Sequence, residues 1–541
     1  MLATLPILVP LLAAALVLAL PWKRGPRVVL VGTALGLPIL AAALMHEVDQ
    51  AGTIVVHVGG WSAPFGIALV ADRFSAIMVM LAAIVGAATI LFSAGEPSDP
   101  GADRARSMLK LALLAAASGA FLAGDLFNLY VWFELLLISS FGLAIIEGRR
   151  PQLGGGIVYV VLSLLSSTLF LVGAGLCYGA VGTLNMADLA VRLDALDDPR
   201  QATALAAPIL VAFAIKAAVF PFVAWLPASY PPLSGAIGAL FAGLLTKVGV
   251  YAMIRMGLLS FAQEPQILGW AILVAAGLTM SLGVLAAVAQ TEIRRILSYH
   301  IASQIGYMLM GLGLALVLVG REGRSVDARE LATLALGGAI LYIMHHIVVK
   351  TNLFLVAGLI EQRRGTTELK SLGGLARTDP AIATLFLISA LSLAGIPILS
   401  GFWAKLVLVR AGLGSGAWTI TAVALATSLL TLFSMMKIWT EAFWREPTDG
   451  GAEALSGDGK ASPPKVQAQD RLRGQPEGRG WACMLAASWA LALTALAIGL
   501  GVGPAWSLAR SAAEQILDRD AVIRASLPPG RTAVEPGTLK R

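Results

Sequence analysis

The sequence predicts an all-α polytopic membrane protein with about fourteen transmembrane helices. Hydrophobic residues make up 57% of the 541 residues, charged residues make up only 13%, and the mean hydropathy is +0.81. Charged residues are about a quarter of an average soluble domain. Apolar runs long enough to cross a bilayer, which takes about 20 residues, recur along most of the chain. These observations favour a membrane-spanning helical bundle over a soluble fold.

The predicted spans follow the apolar runs in chain order. No basic segment or clear cleavage site accompanies the first run, so we interpret it as a retained helix rather than a signal peptide. A short reentrant or broken segment is predicted at 400–413, directly after a proline-containing run. The spans lie near residues 2–20, 27–45, 71–93, 107–124, 126–146, 154–178, 205–224, 233–256, 266–289, 295–319, 331–359, 379–399, 415–440 and 481–504.

Three segments fall outside this pattern. Residues 53–70 alternate loosely around two glycines and a Pro-Phe-Gly sequence, which predicts a small outer β-hairpin. The stretch 446–480 is rich in Pro, Gly, Asp and Lys and is predicted to be a flexible loop. The tail begins amphipathic, from Trp506 to Leu517, and ends polar.

Two proline breaks indicate an internal repeat. The helix at 205–224 is interrupted at Pro221, and the helix at 379–399 is interrupted at Pro397. Proline removes a backbone donor, so a break at membrane depth needs partners from protein or water. Five helices separate the breaks in register, so two five-helix units would be inverted relative to each other, a common transporter plan. The predicted divisions are N-terminal helices with the hairpin, two inverted five-helix repeats, a flexible loop, and a last helix with its tail, at 1–93, 94–256, 257–440, 441–480 and 481–541.

The basic residues predict the orientation, because cytoplasmic loops are enriched in Lys and Arg. The segments 46–61 and 186–198 lie on the side with fewer basic residues, although Arg321, Arg324 and Arg329 also fall there. The basic side is therefore predicted to be cytoplasmic and both termini outside, in the cytoplasmic (inner) membrane of a bacterium. The basic side carries Lys23, Arg24, Arg27, Arg104, Arg106, Arg149, Arg150, Arg294, Arg295, Arg363, Arg364, Lys370 and Arg377.

Composition and motifs argue against several functions. The net charge of +7 is spread over short loops rather than one patch, which argues against nucleic acid as a partner. Two cysteines in apolar segments, Cys177 and Cys483, predict neither a disulfide framework nor a cysteine-based metal site. Neither a Walker A pattern nor a dinucleotide fingerprint occurs, so no cofactor is predicted. Charged residues inside apolar spans usually mark ion pathways, so the chain is predicted to be a secondary ion transporter subunit rather than an enzyme.

Glu134 and Lys216 are the strongest candidate functional residues. Each lies near the middle of an apolar span, where a charge costs at least about 2.5–3.5 kcal/mol and usually faces an ion pathway. An adjacent carboxylate keeps a lysine charged, whereas burial favours the neutral amine. A Glu134–Lys216 pair could therefore release a proton when the two side chains separate. A carboxyl group that is protonated, or that bonds to a hydroxyl, is the structural alternative.

A second group of candidates lies later in the chain. Lys247 is in the middle of AGLLTKVGVY, with a local hydrogen bond to Thr246 as the alternative. His345, His346 and Lys350 form MHHIVVK, in which His346 and Lys350 share a helix face and could pass protons laterally. A metal site is the weaker interpretation, because neighbouring histidines point apart and no third ligand is evident. His346 as a core histidine stays open.

The remaining buried charges divide into two classes. Lys405 follows the second helix break and is predicted to be the outer terminus of a proton path. His300 lies early in the tenth predicted helix and lines a cytoplasmic half-channel or makes an interhelical hydrogen bond. Lys110, Arg255 and Lys437 are predicted to direct their charges to the membrane surface.

Several of these segments resemble a known family, the antiporter-like subunits shared by Mrp-type multisubunit cation/proton antiporters and the membrane arm of respiratory complex I. The similarity covers about residues 50–440, and WFELLLISSF and LPASYPP look most like the D-type subunits of the Mrp antiporters. It implies fourteen helices with two inverted repeats, and a hydrophilic axis through Glu134, Lys216, Lys247, the His346/Lys350 region and Lys405. The segments are GDLFNLYVWFELLLISSFGL, FAIKAAVFPFVAWLPASYPPLSGAIGALFAGLLTKVGVY, RRILSYHIASQIGYMLMG, HHIVVKTNLFLVAGLIE and GIPILSGFWAKLVL.

The residues and the resemblance together give one hypothesis and two alternatives. The chain would be the proton-translocating subunit of a multisubunit antiporter that exchanges H⁺ for Na⁺ or another monovalent cation, with other membrane subunits as partners. The first alternative is a proton-pumping subunit of a redox complex of the NADH:quinone oxidoreductase or membrane-bound hydrogenase type. The second is a scaffold subunit, which the cost of retaining buried charges disfavours.

Overall fold

The computed structural model describes residues 1–19, 25–97, 101–320, 326–446 and 478–527. Within these ranges, thirteen helices are long and apolar enough to cross a membrane. The predicted all-α polytopic fold is confirmed. The predicted span at 379–399 is too short to meet this length, because it forms a 15-residue helix that is followed by a break and a second 15-residue helix.

The first half of the described chain contains ten α-helices, and the helix Gly235–Leu259 is the buried one at their centre. They are α1 (Leu5–Ala19), α2 (Gly25–Ala51), α3 (Arg73–Ser93), α4 (Asp103–Leu122), α5 (Leu126–Ile145), α6 (Arg150–Val181), α7 (Met186–Asp194), α8 (Pro199–Ala217), α9 (Trp225–Ser229) and α10 (Gly235–Leu259).

The second half of the described chain contains ten more α-helices, and the last two lie on the surface of the bundle. Its helices are α11 (Pro265–Val288), α12 (Ile293–Val319), α13 (Val326–Arg364), α14 (Leu375–Thr378), α15 (Pro380–Ala394), α16 (Ser400–Gly414), α17 (Trp418–Ile438), α18 (Arg479–Leu500), α19 (Val502–Leu517) and α20 (Arg519–Ser526). The amphipathic segment predicted at Trp506–Leu517 is the helix α19.

Three helices form the centre of the bundle. The apolar spans of α10 and α12 are completely buried, and that of α13 is 94% buried. Small residues allow this close packing, since a Cβ at Gly243 would lie 2.5 Å from Thr351 Oγ1, and a Cβ at Gly235 would lie 3.0 Å from Gly358 Cα. The centre of the bundle is therefore made of the helices that carry Lys247, His300 and the MHHIVVK sequence.

The predicted β-hairpin is confirmed. Strands β1 (Ile54–His57) and β2 (Ala68–Ala71) pair antiparallel, with Ile54 opposite Ala71. The N-terminal turn at Leu2–Thr4 contacts β2, and α20 contacts β1. The described parts of both ends of the chain therefore lie at the same end of the bundle as the hairpin.

Ion pairs fix both ends of the bundle. At the hairpin end, Arg255 and Asp72 form a buried pair at 2.5 Å. Arg255 was expected to direct its charge to the surface, and this expectation is wrong because Asp72, at the start of α3, is within reach inside the protein. At the opposite end, Arg294 on α12 pairs with Glu361 on α13 at 2.6 Å.

Both predicted breaks are present, but each begins before its proline. Helix α8 ends at Ala217, four residues before Pro221, and α15 ends at Ala394, three residues before Pro397. The residue that follows the last residue of each helix has a positive φ, with 57° at Ala218 and 89° at Gly395. The predicted loop at 446–480 lies almost entirely outside the described residues, as does the end of the tail. The division into five segments stays a prediction.

Candidate functional site

Lys216 lies in the last turn of α8, next to the first break. Its side chain is 4% exposed, and its ammonium lies 5.6 Å from the centre of the Tyr159 ring on α6. Ala218 turns the chain away with a left-handed conformation, and the last carbonyls of α8 accept from N–H groups beyond the helix end, with Ala218 N donating to Ile215 O at 3.0 Å and Val219 N to Ala214 O at 2.9 Å. The Trp225 indole donates to one of them, Ile215 O, at 3.1 Å. In the described residues, Lys216 makes no hydrogen bond or ion pair of its own.

Glu134 and Lys216 are not paired in this structure. No ion pair within 4.0 Å joins them, and Glu134 Oε1 is buried without a partner among the described residues. Glu134 is half-buried, and it lies on the same side of α5 as the exposed side chains Val131 and Ile138. The ion pair expected from the sequence is therefore absent here, because Lys216 lies against an aromatic ring on α6 instead.

Lys247 lies at the centre of α10 and is completely buried. Its ammonium donates to Ala242 O of its own helix. The hydroxyl of Thr246 has no partner in the described part of the chain, so it does not provide the local bond that the sequence left open. Lys350 and His346 on α13 lie within electrostatic range of Lys247. Lys247 is thus the link between α10 and α13.

Lys350 and His346 are buried on α13 and face the centre of the bundle. Lys350 Nζ donates to Leu297 O on α12 at 3.3 Å. Both ring nitrogens of His346 lack a hydrogen-bond partner among the described residues. The Tyr342 ring stacks on His346 with 6.3 Å between the ring centres. A buried imidazole with two unpartnered nitrogens can accept and release a proton without first breaking a protein hydrogen bond.

His345 reaches the second helix break. Its Nδ1 lies 2.8 Å from Ser400 Oγ, at the first residue of α16. Gly401 allows this approach, because a Cβ there would lie 2.8 Å from the imidazole and 1.9 Å from Ser392 O. The other ring nitrogen, Nε2, has no partner among the described residues. Of the two neighbouring histidines, His345 therefore contacts α16, and His346 faces the centre.

Lys405 joins the two sides of the second break. It is 7% exposed, and its ammonium donates to Leu393 O at 2.9 Å and Ala394 O at 3.0 Å, which are the last carbonyls of α15. A third bond goes to Ser428 Oγ on α17 at 3.0 Å. The Tyr307 ring lies 5.3 Å from the ammonium. A cation is favoured at this position, since the free carbonyls carry the negative end of the helix dipole.

His300 lies in a hydrogen-bonded group between α12 and α17. Its Nε2 lies 2.9 Å from Ser434 Oγ, which agrees with the interhelical bond that the sequence left open. One helical turn away, Gln304 Nε2 donates to Thr431 Oγ1 at 3.3 Å, and the Tyr342 hydroxyl donates to Gln304 Oε1. His300 is therefore joined to α13 through neighbouring polar residues.

Two tyrosines, which the sequence analysis missed, complete the connection between these groups. The rings of Tyr307 and Tyr342 stack with 5.0 Å between centres, and Tyr307 also contacts Lys405. Their spacing was the available signal, since Tyr307 follows Gln304 by three residues, and Tyr342 precedes His345 and His346 by three and four. Polar groups thus extend from Lys247 to Lys405 across the centre of the bundle.

The described residues offer no obvious metal site. No group of three or more His, Cys, Asp or Glu side chains lies together within them. The central lysines and histidines also have no carboxylate within ion-pair distance in the described ranges. This arrangement suits proton exchange between bases rather than cation coordination, which needs oxygen ligands.

Comparisons with known proteins agree with this geometry. Residues 123–431 match the family described as NADH:quinone oxidoreductase/Mrp antiporter, transmembrane. The D subunit of the Na(+)/H(+) antiporter of Alkalihalophilus pseudofirmus is 46% identical over 446 residues, which is 82% of this chain and 87% of that protein.

Solved structures are also similar. A chain in the structure of the Mrp complex from Dietzia sp. DQ12-45-1b superposes with a TM-score of 0.83 at 34% identity, over 97% of this chain and 99% of that one. A chain of the membrane-bound sulfane sulfur reductase, an archaeal respiratory membrane complex, superposes with a TM-score of 0.78 at 25% identity, over 97% and 99%.

Proposed function

Since the chain belongs to the NADH:quinone oxidoreductase/Mrp antiporter transmembrane family, we propose that it carries protons across the membrane as one subunit of a multisubunit cation/proton antiporter. The observation that carries the proposal is the row of buried bases Lys247, Lys350, His346, His345 and Lys405. In the described residues none of them has a carboxylate partner. Like charges so close together in a low-dielectric interior cannot all be present at once, so protons must be shared along the row.

The proposed path begins at the first helix break. Protons reach the Glu134–Lys216 region first, pass to Lys247, and cross to α13 at Lys350 and His346. From α13 they leave through His345 and Lys405 at the second break. Glu134 and Lys216 act as a switch, since closing the pair holds the proton on the lysine and opening it releases the proton.

The identity of the exchanged cation is proposed from the names of related proteins. The Alkalihalophilus protein is named as part of a Na(+)/H(+) antiporter, and Na⁺ is therefore the first cation to test. We assign no Na⁺ site within this chain. The basic end of the bundle is proposed to be cytoplasmic, with both termini outside, in a bacterial cytoplasmic membrane.

Exchange in membrane vesicles tests the proposal. Inverted vesicles are prepared from cells without their own antiporters that produce the assembled complex. Dequenching of a pH-gradient dye is then measured on addition of Na⁺ or K⁺. Lys216→Ala and Glu134→Ala should each remove most of the cation-dependent dequenching, whereas the exposed Lys370→Ala should not. Assembled variants that exchange at the wild-type rate would contradict the proposal.

A proton-pumping subunit of a redox complex is the second candidate. The observation that favours it is the superposition on a chain of the archaeal respiratory complex at 25% identity. The same vesicles distinguish the two functions. An assembled complex that acidifies vesicles only when an electron donor is supplied, and never responds to a monovalent cation, would replace the antiporter with the redox complex.

A further inference from the structure

A partly open cleft with an accessible volume of about 60 Å³ lies apart from the row of buried bases, at the basic end of the bundle. It is formed by the start of α2, the end of α3 and the start of α4, where these helices enter the membrane. One wall is apolar, with Leu30, Val31 and Ile90. The other wall is polar and contains Lys110 and Glu96. A cleft with one apolar and one charged wall suits a ligand that has an apolar part and a charged part.

Lys110 is the unusual residue of this cleft. Its side chain is only 3% exposed, yet it makes no hydrogen bond or ion pair with any described residue. Helical side chains lean toward the N-terminus of their helix, so the ammonium on α4 points toward the membrane surface and into the cleft. The ammonium faces the cleft without a partner in the described residues, which leaves it open to an anionic ligand from outside the protein.

The other charges of the cleft are already compensated. Arg27 pairs with Asp103 at 2.6 Å, and Arg106 lies 3.6 Å from the carboxylate of Glu147. Glu96 lies beyond the end of α3, and its Oε1 accepts a hydrogen bond at 3.0 Å from the first turn of α10. Burial raises the pKa of Glu96, against the opposing effects of that hydrogen bond and of nearby Lys110. Of the charged side chains that line the cleft in the described residues, Lys110 alone has neither an ion pair nor a hydrogen bond.

We propose that this cleft binds a phosphate group, held by the ammonium of Lys110. The phosphate belongs either to an anionic phospholipid headgroup or to free inorganic phosphate. The apolar wall of Leu30, Val31 and Ile90 favours the lipid, because an acyl chain can lie against it while the headgroup stays at the level of Lys110. Charge-assisted hydrogen bonds from a lysine to phosphate oxygens are among the strong ones in proteins.

A structural role for the same residues is the rival explanation. In that case Lys110 would serve only as the distant partner of Glu96, through intervening solvent. The variant Glu96→Gln separates the two explanations, because it keeps the oxygen that accepts from α10 and removes the negative charge. If Lys110 binds phosphate, Glu96→Gln removes a repulsion and tightens binding. If Lys110 is only the electrostatic partner of Glu96, Glu96→Gln lowers the thermal stability of the protein in the same way as loss of Lys110 does.

The experiment uses the assembled complex, purified through a tag on this chain and depleted of lipid. Native mass spectrometry counts bound lipid, and thermal unfolding gives the midpoint shift, on addition of phosphatidylglycerol, phosphatidylcholine or inorganic phosphate. The variants are Lys110→Met, Lys110→Arg and Glu96→Gln, and Lys370→Met is the control at the same end of the bundle. Lys110→Arg keeps the charge and guards against a folding defect in Lys110→Met.

Lys110→Met should retain one phosphatidylglycerol fewer per complex and bind it about tenfold more weakly, while Lys110→Arg and Lys370→Met stay near wild type. Glu96→Gln should bind it more tightly. A response to phosphatidylglycerol alone assigns the lipid headgroup, and an equal response to inorganic phosphate assigns the free anion. Equal binding by wild type and Lys110→Met, or weaker binding by Glu96→Gln, would overturn the proposal.

Discussion

The two helix breaks place a lysine against the end of an interrupted helix in two different ways. At the second break, Lys405 makes three hydrogen bonds, two of them to the last carbonyls of α15. At the first break, Ile215 O accepts from both the Trp225 indole and the backbone N–H of Ala218, and Lys216 is left with only the face of the Tyr159 ring. The second lysine is therefore fixed by the break, whereas the first is beside it and unbound.

This difference indicates different roles in proton transfer. Holding an ammonium with three acceptors favours a charged, immobile group, as expected of the end of a path. A lysine without hydrogen bonds can move toward Glu134 and away from it at little cost, as a switch requires. The two breaks thus assign switching to Lys216 and proton discharge to Lys405, and substitutions at each can test that assignment.

The largest expected effect comes from Lys216→Ala. Cation-dependent exchange should fall at least tenfold, because no other described side chain at the first break can carry the proton. The complex should still assemble, since the structural loss is one cation–π contact, worth about 0.5–2 kcal/mol, together with the packing of the buried lysine stem. Exchange in vesicles and the yield of purified complex measure the two effects. Loss of the complex itself would show that Lys216 is structural.

The second effect concerns stability rather than exchange. Lys405→Met keeps the apolar stem of the side chain, removes the donor for Leu393 O and leaves Ala394 O with Ser428 as its donor, and a buried acceptor without a donor costs about 1–3 kcal/mol. The thermal midpoint of the complex should therefore drop more in Lys405→Met than in Lys216→Met. Equal drops in the two variants would remove the distinction between a fixed and an unbound lysine.

The helices could be predicted from the sequence, but these lysine contacts could not. Apolar runs located the spans, and two prolines located the breaks to within four residues. The positive φ of Ala218 was not readable, because alanine gives no sign of a left-handed conformation. The contact between His345 and Ser400 likewise depends on how α13 and α16 pack, and sequence spacing alone favoured His346.

Removing the indole N–H of Trp225 should make Lys216 at the first break resemble the fixed Lys405 at the second break. Trp225→Phe keeps the aromatic contact with Tyr159, whose centre lies 5.3 Å away, and removes the donor to Ile215 O. Ile215 O then keeps only the backbone N–H of Ala218 as a donor, so its second lone pair becomes available to the neighbouring Lys216 ammonium, which gains a partner and becomes fixed like Lys405.

Exchange should then fall roughly three- to tenfold, the effect of one hydrogen bond of about 0.5–1.5 kcal/mol. Trp403→Phe is the matched control, because the Trp403 indole has no partner among the described residues. If both variants exchange at the wild-type rate, the mobility of Lys216 does not depend on Trp225.

The smallest effect is expected from Ser428→Ala, which tests how firmly Lys405 is held. The hydroxyl accepts from Lys405 and donates to Ala394 O at 3.0 Å, so it supports the ammonium and the carbonyl together. Its half-buried position allows water to replace it in part, and stability should fall by only about 0.5–1.5 kcal/mol with exchange within threefold of wild type. In the double variant Lys405→Met/Ser428→Ala, the two losses should not add, because both substitutions disrupt the same group of bonds around the end of α15. Additive losses in thermal unfolding would mean that Ser428 and Lys405 stabilise the second break independently, and that the ammonium is held by the two carbonyls alone.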